Sequence, residues 1–374
     1  MARFVHAADL HLGNAQFDSL ERASDFLDSL KFVLDSAKQR QAEFILLCGD
    51  LFDSLELIPY IYGNILQLID AFYLGTEHKI PIIAIEGNHD KRKFAKGTRY
   101  DSSHSWIQNL ALSNHIILLD NPDYEENRNI LIDYDKNTKM GNVITINETE
   151  IIGIGYAGEE PVNEINRIIY ELNQRPRAKY RILMMHMGVK GYLPGIPALS
   201  YKVFEDLHQH IDYFALGHFH IQFEIENWVF NPGACEPVHY SERNFKRGVF
   251  FCEAREIEDQ ESKAERKMKN SVECLKKPNR PLIYLELDSG TIDDEDCLVR
   301  ICNNRISREC SEKKALIYVK LRNALRNSKL KTKNAYLNDI RMKIIQKCEI
   351  MNLIFLKSTQ SNEEELVRTL TDYL

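Results

Sequence analysis

Ile80-Pro81-Ile82-Ile83-Ala84-Ile85-Glu86-Gly87-Asn88-His89-Asp90 decides how the first two thirds of this chain fold. An apolar run bounded by Pro and Gly reads as a buried strand, and the glycine then turns the chain so that polar side chains emerge at the strand's C-terminal end. Open α/β sheets bind their ligands there. The construction recurs: Phe4-Val5-His6-Ala7-Ala8 runs into Asp9-Leu10-His11, and Phe44-Ile45-Leu46-Leu47-Cys48 into Gly49-Asp50. Arg181-Ile182-Leu183-Met184-Met185 likewise meets His186, and Tyr213-Phe214-Ala215-Leu216 meets Gly217-His218-Phe219-His220. Seven residues are thereby nominated as metal ligands: Asp9, His11, Asp50, Asn88, His186, His218 and His220. Imidazole and carboxylate together suit borderline divalent ions such as manganese, iron or zinc, and no thiolate accompanies them to close a structural zinc site.

A single Asp-x-His or Gly-x-His-x-His reads as an ordinary loop. Five such pieces in order, each closing a strand, resemble the binuclear metallophosphoesterase superfamily. Within it, Gly49-Asp50-Leu51-Phe52-Asp53, Gly87-Asn88-His89-Asp90, Ala215-Leu216-Gly217-His218-Phe219-His220 and Asn231-Pro232-Gly233-Ala234 resemble the SbcD/Mre-eleven nuclease family. The resemblance covers about residues 1–255 by motif and the remainder by layout only.

That resemblance implies an α/β fold: a calcineurin-like metallophosphoesterase sandwich of two sheets flanked by helices, followed by a smaller α/β DNA-capping domain. It implies a DNA double-strand-break repair nuclease, exonuclease or endonuclease, with an SbcC/Rad-fifty-type ATPase as partner. Two divalent ions, Mn2+ first among them, are the implied cofactors. By motif analogy Asp9, His11 and His220 hold one ion and Asn88, His186 and His218 the other, with Asp50 as the natural bridge. Paired metals at about 3.5–4 Å clamp the attacking and leaving oxygens of a phosphate.

His89, adjacent to a ligand, is the candidate general acid for the leaving 3′ oxygen, a role worth roughly 10²–10⁴ in rate. The alternative is a hydrogen-bond donor supporting the ligands. Asp53 departs from the archaeal and eukaryotic pattern, which usually carries histidine there, and matches the bacterial one. An aspartate cannot donate to a phosphate as imidazolium does, so Asp53 is expected to steer His89 or a nearby cation.

Composition agrees without deciding. The 374 residues supply material for about two domains, with 44% hydrophobic and 28% charged residues as in a globular protein able to bury a core. A formal charge of −7 excludes the simple case of an overall basic nucleic-acid binder. Met1-Ala2-Arg3-Phe4 enters the first strand without a signal-peptide apolar region, and no stretch approaches a membrane span. The eight cysteines lack Cys-x-x-Cys spacing. Reduced thiols and a cytoplasmic or nucleoid location are therefore expected.

In chain order, Glu21–Lys38 carries Phe26, Leu30, Val33 and Ala37 at helical spacing and links the first two strands. The next helix, Leu57–Leu74, has apolar residues on more than one face, so it is either deeply buried or meets a partner. A homodimer through this helix is the expectation. After Asp90, the cations Lys91, Arg92, Lys93, Lys96 and Arg99 with Phe94 and Tyr100 form either a solvated loop or a track for a phosphate backbone.

Runs at residues 116–119, 143–146 and 151–154 predict a second group of strands, and 163–173 another helix. Residues 256–277 read as a charged linker between a nuclease domain, 1–255, and a capping, DNA-binding domain, 278–374. The latter has strand candidates at 281–287, 315–321 and 352–356 and helices near 296–304 and 336–348. From Gln260 onward 23 Lys plus Arg face 17 Asp plus Glu, a mildly basic balance. A C-terminal helix with Leu366, Leu370 and Leu374 either binds the partner or closes the cap. Two competing functions remain: a small-molecule or nucleotide phosphodiesterase, and a phosphoesterase-fold scaffold without catalysis.

Overall fold

The structure, a computed structural model, describes residues 2–90, 105–120, 129–257, 267–288, 292, 294–309, 314–322, 334–348 and 350–356. The chain divides into two compact units, one running up to Val238 and resuming over Phe245–Lys277, the other made of His239–Asn244 and the chain from Pro278.

In the first unit, one sheet contains β1 (Ala2–Ala7), β2 (Phe44–Cys48), β3 (Ile82–Ile85) and β4 (Ile117–Leu118) in parallel. The second contains β5 (Val143–Ile146), β6 (Thr149–Ile154), β7 (Tyr180–His186), β8 (Tyr213–Gly217), β9 (Phe223–Ile225) and β10 (Val229–Asn231), with β6, β7, β8 and β10 parallel and in that order. β11 (Val249–Ile257) returns antiparallel beside β1, and β12 (Lys267–Leu275) closes that edge. The helices of this unit are α1 (Leu20–Gln39), α2 (Pro59–Thr76), α3 (Trp106–Leu112), α4 (Val162–Leu172) and α5 (Tyr201–Phe204).

Period-two alternation explains the layers. Phe4, Phe44, Leu46, Ile83 and Ile85 point between the sheets, where they meet Ile151, Ile182, Met184, Tyr213 and Phe230. Val5, Ala7, Ile45, Leu47, Ile82 and Ala84 point the other way, onto Leu30, Val33, Ile61, Ile65, Phe72, Ile107 and Leu110 of α1, α2 and α3. Strands covered on both faces need no polar residues, which is why the sequence shows unbroken apolar runs.

The charged stretch read as a linker is largely strand. β12 pairs with β11 in continuous register from Val249 opposite Leu275 to Ile257 opposite Lys267. Met268, Val272 and Cys274 pack toward the space between the sheets and Asn270 accepts the Tyr180 hydroxyl at 2.6 Å, while Lys269, Ser271 and Glu273 alternate with them. An edge strand keeps charge on its open side. That charge masked the alternation, and the first unit extends to Lys277 rather than to residue 255.

Helix α2 uses its surplus apolar residues mostly inside the first unit. Ile61, Ile65, Ile69, Phe72 and Tyr73 are buried, and Tyr62, Leu66 and Leu68 pack against the same core. Tyr60 and Leu74 stay outside at 70% and 81% exposure.

In the second unit, β13 (Leu282–Asp288), β14 (Leu316–Arg322) and β15 (Asn352–Leu356) form a parallel sheet joined by α6 (Glu295–Glu309) and α7 (Asn334–Cys348). Ile283, Leu285, Ile317, Val319 and Leu353 pack with Leu298, Cys302, Ile340 and Ile344 of the helices. Leu316 and Tyr318 cluster instead with Tyr240 of the short turn Tyr240–Asn244. The described cysteines are free thiols, and no helix among the described residues is long and apolar enough to cross a membrane. The basic loop after Asp90 and the helix expected around Leu366, Leu370 and Leu374 lie outside the described residues.

One buried group ties the two sheets together. His6 Nδ1 accepts the Tyr213 hydroxyl at 3.0 Å and Nε2 donates to the Leu216 carbonyl at 3.0 Å. Burial pushes its pKa down to about 3 against the pull of the carbonyl. The folded protein therefore keeps His6 neutral where the unfolded chain protonates it below about 6.5, so this contribution is complete above pH 6.5 and declines as pH falls toward 3. Urea unfolding between pH 7.5 and 4.5 should lose stability more steeply in the wild type than in His6→Gln, by up to about 1.4 kcal/mol per pH unit. Parallel slopes would assign the acid sensitivity elsewhere.

Candidate active site

Parallel strands from both sheets end at the same place. β1 delivers Asp9 and His11, β2 delivers Asp50, and β3 is followed by Asn88; β7 ends on His186 and β8 leads to His218 and His220. The loops after β1 and β2 remain zipped: Asp9 N–H donates to the Gly49 carbonyl at 3.1 Å, His11 N–H to Asp50 at 3.0 Å, and Leu12 N–H to Leu51 at 2.8 Å. Two glycines give the ends room to converge. Gly49 has φ +83°, and a Cβ on it would collide with the His186 ring; a Cβ on Gly87 would collide with the Asp50 carboxylate.

Four of the seven nominated residues adopt left-handed backbone without being glycine: Asp9 (φ 53°), His11 (44°), Asp50 (48°) and His218 (89°). Such conformations cost of order 1–3 kcal/mol each and persist only where the surroundings over-determine them. Here the surroundings are hydrogen bonds. His218 N–H donates to Asp9 Oδ1 at 3.0 Å, and His89 N–H to Asp50 Oδ1 at 2.8 Å.

All seven nominated residues come together. Asp9, His11 and His220 are buried and offer one ligand atom each within 4.8 Å of one another, and Asp50, His186 and His218 do the same. Asn88 Oδ1 joins the second group, 3.0 Å from His186 Nε2 and 3.2 Å from His218 Nδ1. His11 Nε2 lies 3.1 Å from His220 Nε2, the spacing of neighbouring nitrogens about a shared ion when metal–nitrogen bonds are about 2.0–2.1 Å.

The residues fit divalent ions on a second ground. Asp9 Oδ2 and Asp50 Oδ2 are buried and accept no hydrogen bond, a costly state for carboxylate oxygens unless a cation meets them. Asp50 Oδ2 has only the His186 Nε2 at 3.2 Å as an ionic neighbour.

Electrostatics point the same way. Burial raises the Asp9 carboxyl, with His220 and His186 opposing it. Burial also raises Asp50, but the His186 imidazole outweighs this and holds it far below the carboxylate range. His186 is lowered by burial and raised more strongly by Asp50, to about 9, so the field at that nitrogen favours a cation. Burial, followed by the charge of His186, keeps His218 neutral and able to ligate.

Surrounding groups aim these ligands. His186 Nδ1 donates to the Cys48 carbonyl at 2.8 Å, which turns Nε2 toward Asn88 and Asp50. His11 Nδ1 faces Asp53 Oδ1 at 3.1 Å, and Asn14 donates to the same oxygen at 2.9 Å. The Asp53 side chain therefore orients His11. Its main-chain carbonyl accepts His89 Nδ1–H at 2.8 Å, which presents Nε2 of His89 away from it. His11, Asp53 and His89 form a third close cluster, but the side chain of Asp53 is already engaged by His11 and Asn14.

Several members of this arrangement carry no signal in the sequence. Asp90 accepts the amides of Gly87, Phe52 and Leu51 at 2.9–3.2 Å, clasping the loops after β2 and β3. Burial and the nearby Asp50 push its pKa up to about 6. Asn231 donates to the carbonyls of Phe219 and Ile221, holding the His218–His220 turn. Its motif is visible, but a carboxamide that binds main chain has no chemical signature in sequence. Lys91, Arg92, Lys93, Lys96 and Arg99 lie outside the described residues.

Comparison with known proteins gives the class. Residues 2–222 match the calcineurin-like phosphoesterase family, and the chain belongs to it. It is 26% identical over 223 residues to the DNA double-strand break repair protein Mre11 of Archaeoglobus fulgidus, covering 59% of this chain and 46% of that protein. It is 27% identical over 277 residues to the SbcD component of nuclease SbcCD from Staphylococcus saprophyticus, covering 67% and 65%. With the same component from Staphylococcus epidermidis it shares 25% over 317 residues, covering 81% and 77%. The matched region thus spans about half the length of the archaeal relatives.

Substitution separates the ligand from its support. Asp53→Ala should weaken Mn2+ binding about 10–100-fold through a misaimed His11, as loss of an outer partner does, and leave the fold in place because Asp53 is partly exposed. Asp50→Asn should reduce the number of ions taken up. Titration calorimetry with Mn2+ reads both. Undiminished affinity in Asp53→Ala would remove its orienting role.

Proposed function

We propose that this chain is the nuclease component of an SbcCD-type machine for DNA double-strand-break repair and end processing, hydrolysing phosphodiester bonds with two Mn2+ ions. The observation that carries the reading is the pair of buried ligand clusters, Asp9/His11/His220 and Asp50/His186/His218 with Asn88, on a chain whose relatives are named as DNA repair nucleases. Asp50 is the proposed bridge between the two ions. Bound divalent ions would supply charge neutralisation at the phosphate and an activated water.

The chain's own groups do the rest. His89, with its Nδ1 proton fixed on the Asp53 carbonyl, donates from Nε2 to the leaving 3′ oxygen. Asp53 and Asn14 keep His11 aimed, and Asp90 fixes the loops that carry Asp50 and Asn88. Lys91, Arg92, Lys93, Lys96 and Arg99 follow the DNA backbone, and the second unit caps the duplex. An SbcC/Rad-fifty-type ATPase is the proposed partner, in the cytoplasm or at the nucleoid.

The test is hydrolysis with Mn2+ of single-stranded DNA, duplex DNA and bis(p-nitrophenyl) phosphate in parallel, by wild type and by His89→Asn. DNA should be cut, and the variant should lose about 10²–10⁴ on DNA but much less on the chromogenic diester, because nitrophenolate leaves without a proton. A wild type that cuts only the small diester would move the function to small-molecule phosphodiesters. Equal losses on both substrates would place His89 among the ligands.

The outward strip of α2 supports a homodimer. Tyr60 and Leu74 are two large apolar side chains left exposed on a helix whose other apolar residues are covered. Burial against a second copy across a two-fold axis would gain roughly 25 cal/mol per Å² of apolar surface. Because Ile65 faces the core, the informative variant is Tyr60→Glu with Leu74→Glu. Sedimentation should show a micromolar dimer that this variant splits. A monomeric wild type refutes it.

A further inference from the structure

Tyr156 follows β6 and is held by its main chain. Its amide donates to the Glu86 carbonyl at 2.8 Å, and a Cβ on the preceding Gly155 would lie 3.2 Å from the same oxygen. Glu86 is itself fixed, accepting the Ser105 hydroxyl at 2.9 Å, and stands two residues before Asn88. The position of Tyr156 is therefore locked to the loop that carries a ligand.

Its ring stands beside two ligand imidazoles, with centroids 6.1 Å from His186 and 5.7 Å from His218. The proposed acid occupies the other flank, with the His89 ring 4.9 Å from that of His11. Phe219 also stacks on His218, at 5.6 Å, but it is buried and belongs to the core. Tyr156 is half-buried, so part of its apolar face meets solvent beside the ligands. Close packing here is otherwise achieved by glycine, at Gly49 and Gly87. A large flat ring kept partly open at this place has a surface to offer to a substrate.

We propose that Tyr156 is a stacking platform for the nucleoside that retains the scissile phosphate, on the flank of the site opposite His89. The proposal rests on the nuclease reading above, in which His89 protonates the 3′ oxygen and the 5′-linked nucleoside keeps the phosphate. Stacking of a base on an aromatic ring is tolerant of sequence, which suits an end-processing enzyme.

Two diesters with the same nitrophenolate leaving group isolate this contact: thymidine 5′-(p-nitrophenyl phosphate), which carries a base on the retained side, and methyl p-nitrophenyl phosphate, which does not. With Mn2+, Tyr156→Leu should raise KM for the thymidine diester about tenfold more than for the methyl diester, and Tyr156→Phe should keep the thymidine preference. Calorimetry should find two Mn2+ ions still bound by Tyr156→Leu. Equal losses on both diesters with weakened Mn2+ binding would make Tyr156 a prop for the imidazoles and overturn the proposal. A Tyr156→Phe defect matching Tyr156→Leu would transfer the role to the hydroxyl and overturn stacking. A wild type that hydrolyses the methyl diester without any thymidine preference would also overturn it, while the phosphodiesterase reading survived. A wild type inactive on both would sink the two readings together.

Discussion

The encounter of two buried carboxylates, Asp9 and Asp50, sets the terms for the first unit. Each has an oxygen that accepts no hydrogen bond, and the charge of one raises the pKa of the other. Isolated charges of this kind are too expensive to bury. They become tolerable through the imidazoles of His11, His186 and His220 around them and the amides of His89 and His218 that donate to them. The strained backbone at Asp9, His11, Asp50 and His218 follows from the same requirement, since five strand ends cannot bring so many polar groups to one place in relaxed conformations. Only a rigid support holds that arrangement, which is why both faces of the central strands are packed to exclusion of water.

This dependence also explains what could be read from the sequence. A strand buried on both faces is an apolar run, and a ligand at its end is a polar residue after it, often behind a glycine. Asp9, Asp50, Asn88, His186 and His218 all satisfy that pattern, so the fold of the first unit and its ligands shared one signal. Residues whose work is to bind main chain left no such trace. Asp90 looks like another acid in a loop, yet it receives three amides. The role of Asp53 was half visible: steering was expected, but the side chain reaches His11 and only the carbonyl reaches His89. β12 was hidden because an edge strand with charge facing out has the composition of a linker, and alternation over nine residues is a weaker signal than unbroken hydrophobicity.

A second group of buried charges obeys the same physics with a different outcome. Arg22, fully buried at the start of α1, donates to Asp25 at 2.8 Å, to Glu236 at 3.0 Å, to Gln16 at 2.9 and 3.0 Å, and to the Pro237 carbonyl at 3.2 Å. Lys277 reaches the other oxygen of Glu236 at 2.5 Å. Donors and acceptors here match, in contrast to Asp9 and Asp50, so this cluster needs no added cation. Removing one member would leave the others charged and dry, a change that typically costs 3–5 kcal/mol.

The position of that cluster in the chain gives it a mechanical meaning within the first unit. Pro237 and Val238 are the last residues before the chain leaves for His239–Asn244, and Lys277 is the last before it leaves again at Pro278. Both departures are therefore rooted on Glu236. From Glu236 the bonded path runs through Arg22 to Gln16, two residues beyond Asn14, whose carboxamide shares Asp53 with His11. The segment Asn14–Gln16 is too short to move at one end without the other, and the next residues, Phe17 and Asp18, are both left-handed at φ 63° and 55°. The loop that aims a metal ligand and the roots of the second unit are thus parts of one stiff polar framework, so a pull on those roots acts on the orientation of His11 before it acts on the sheets.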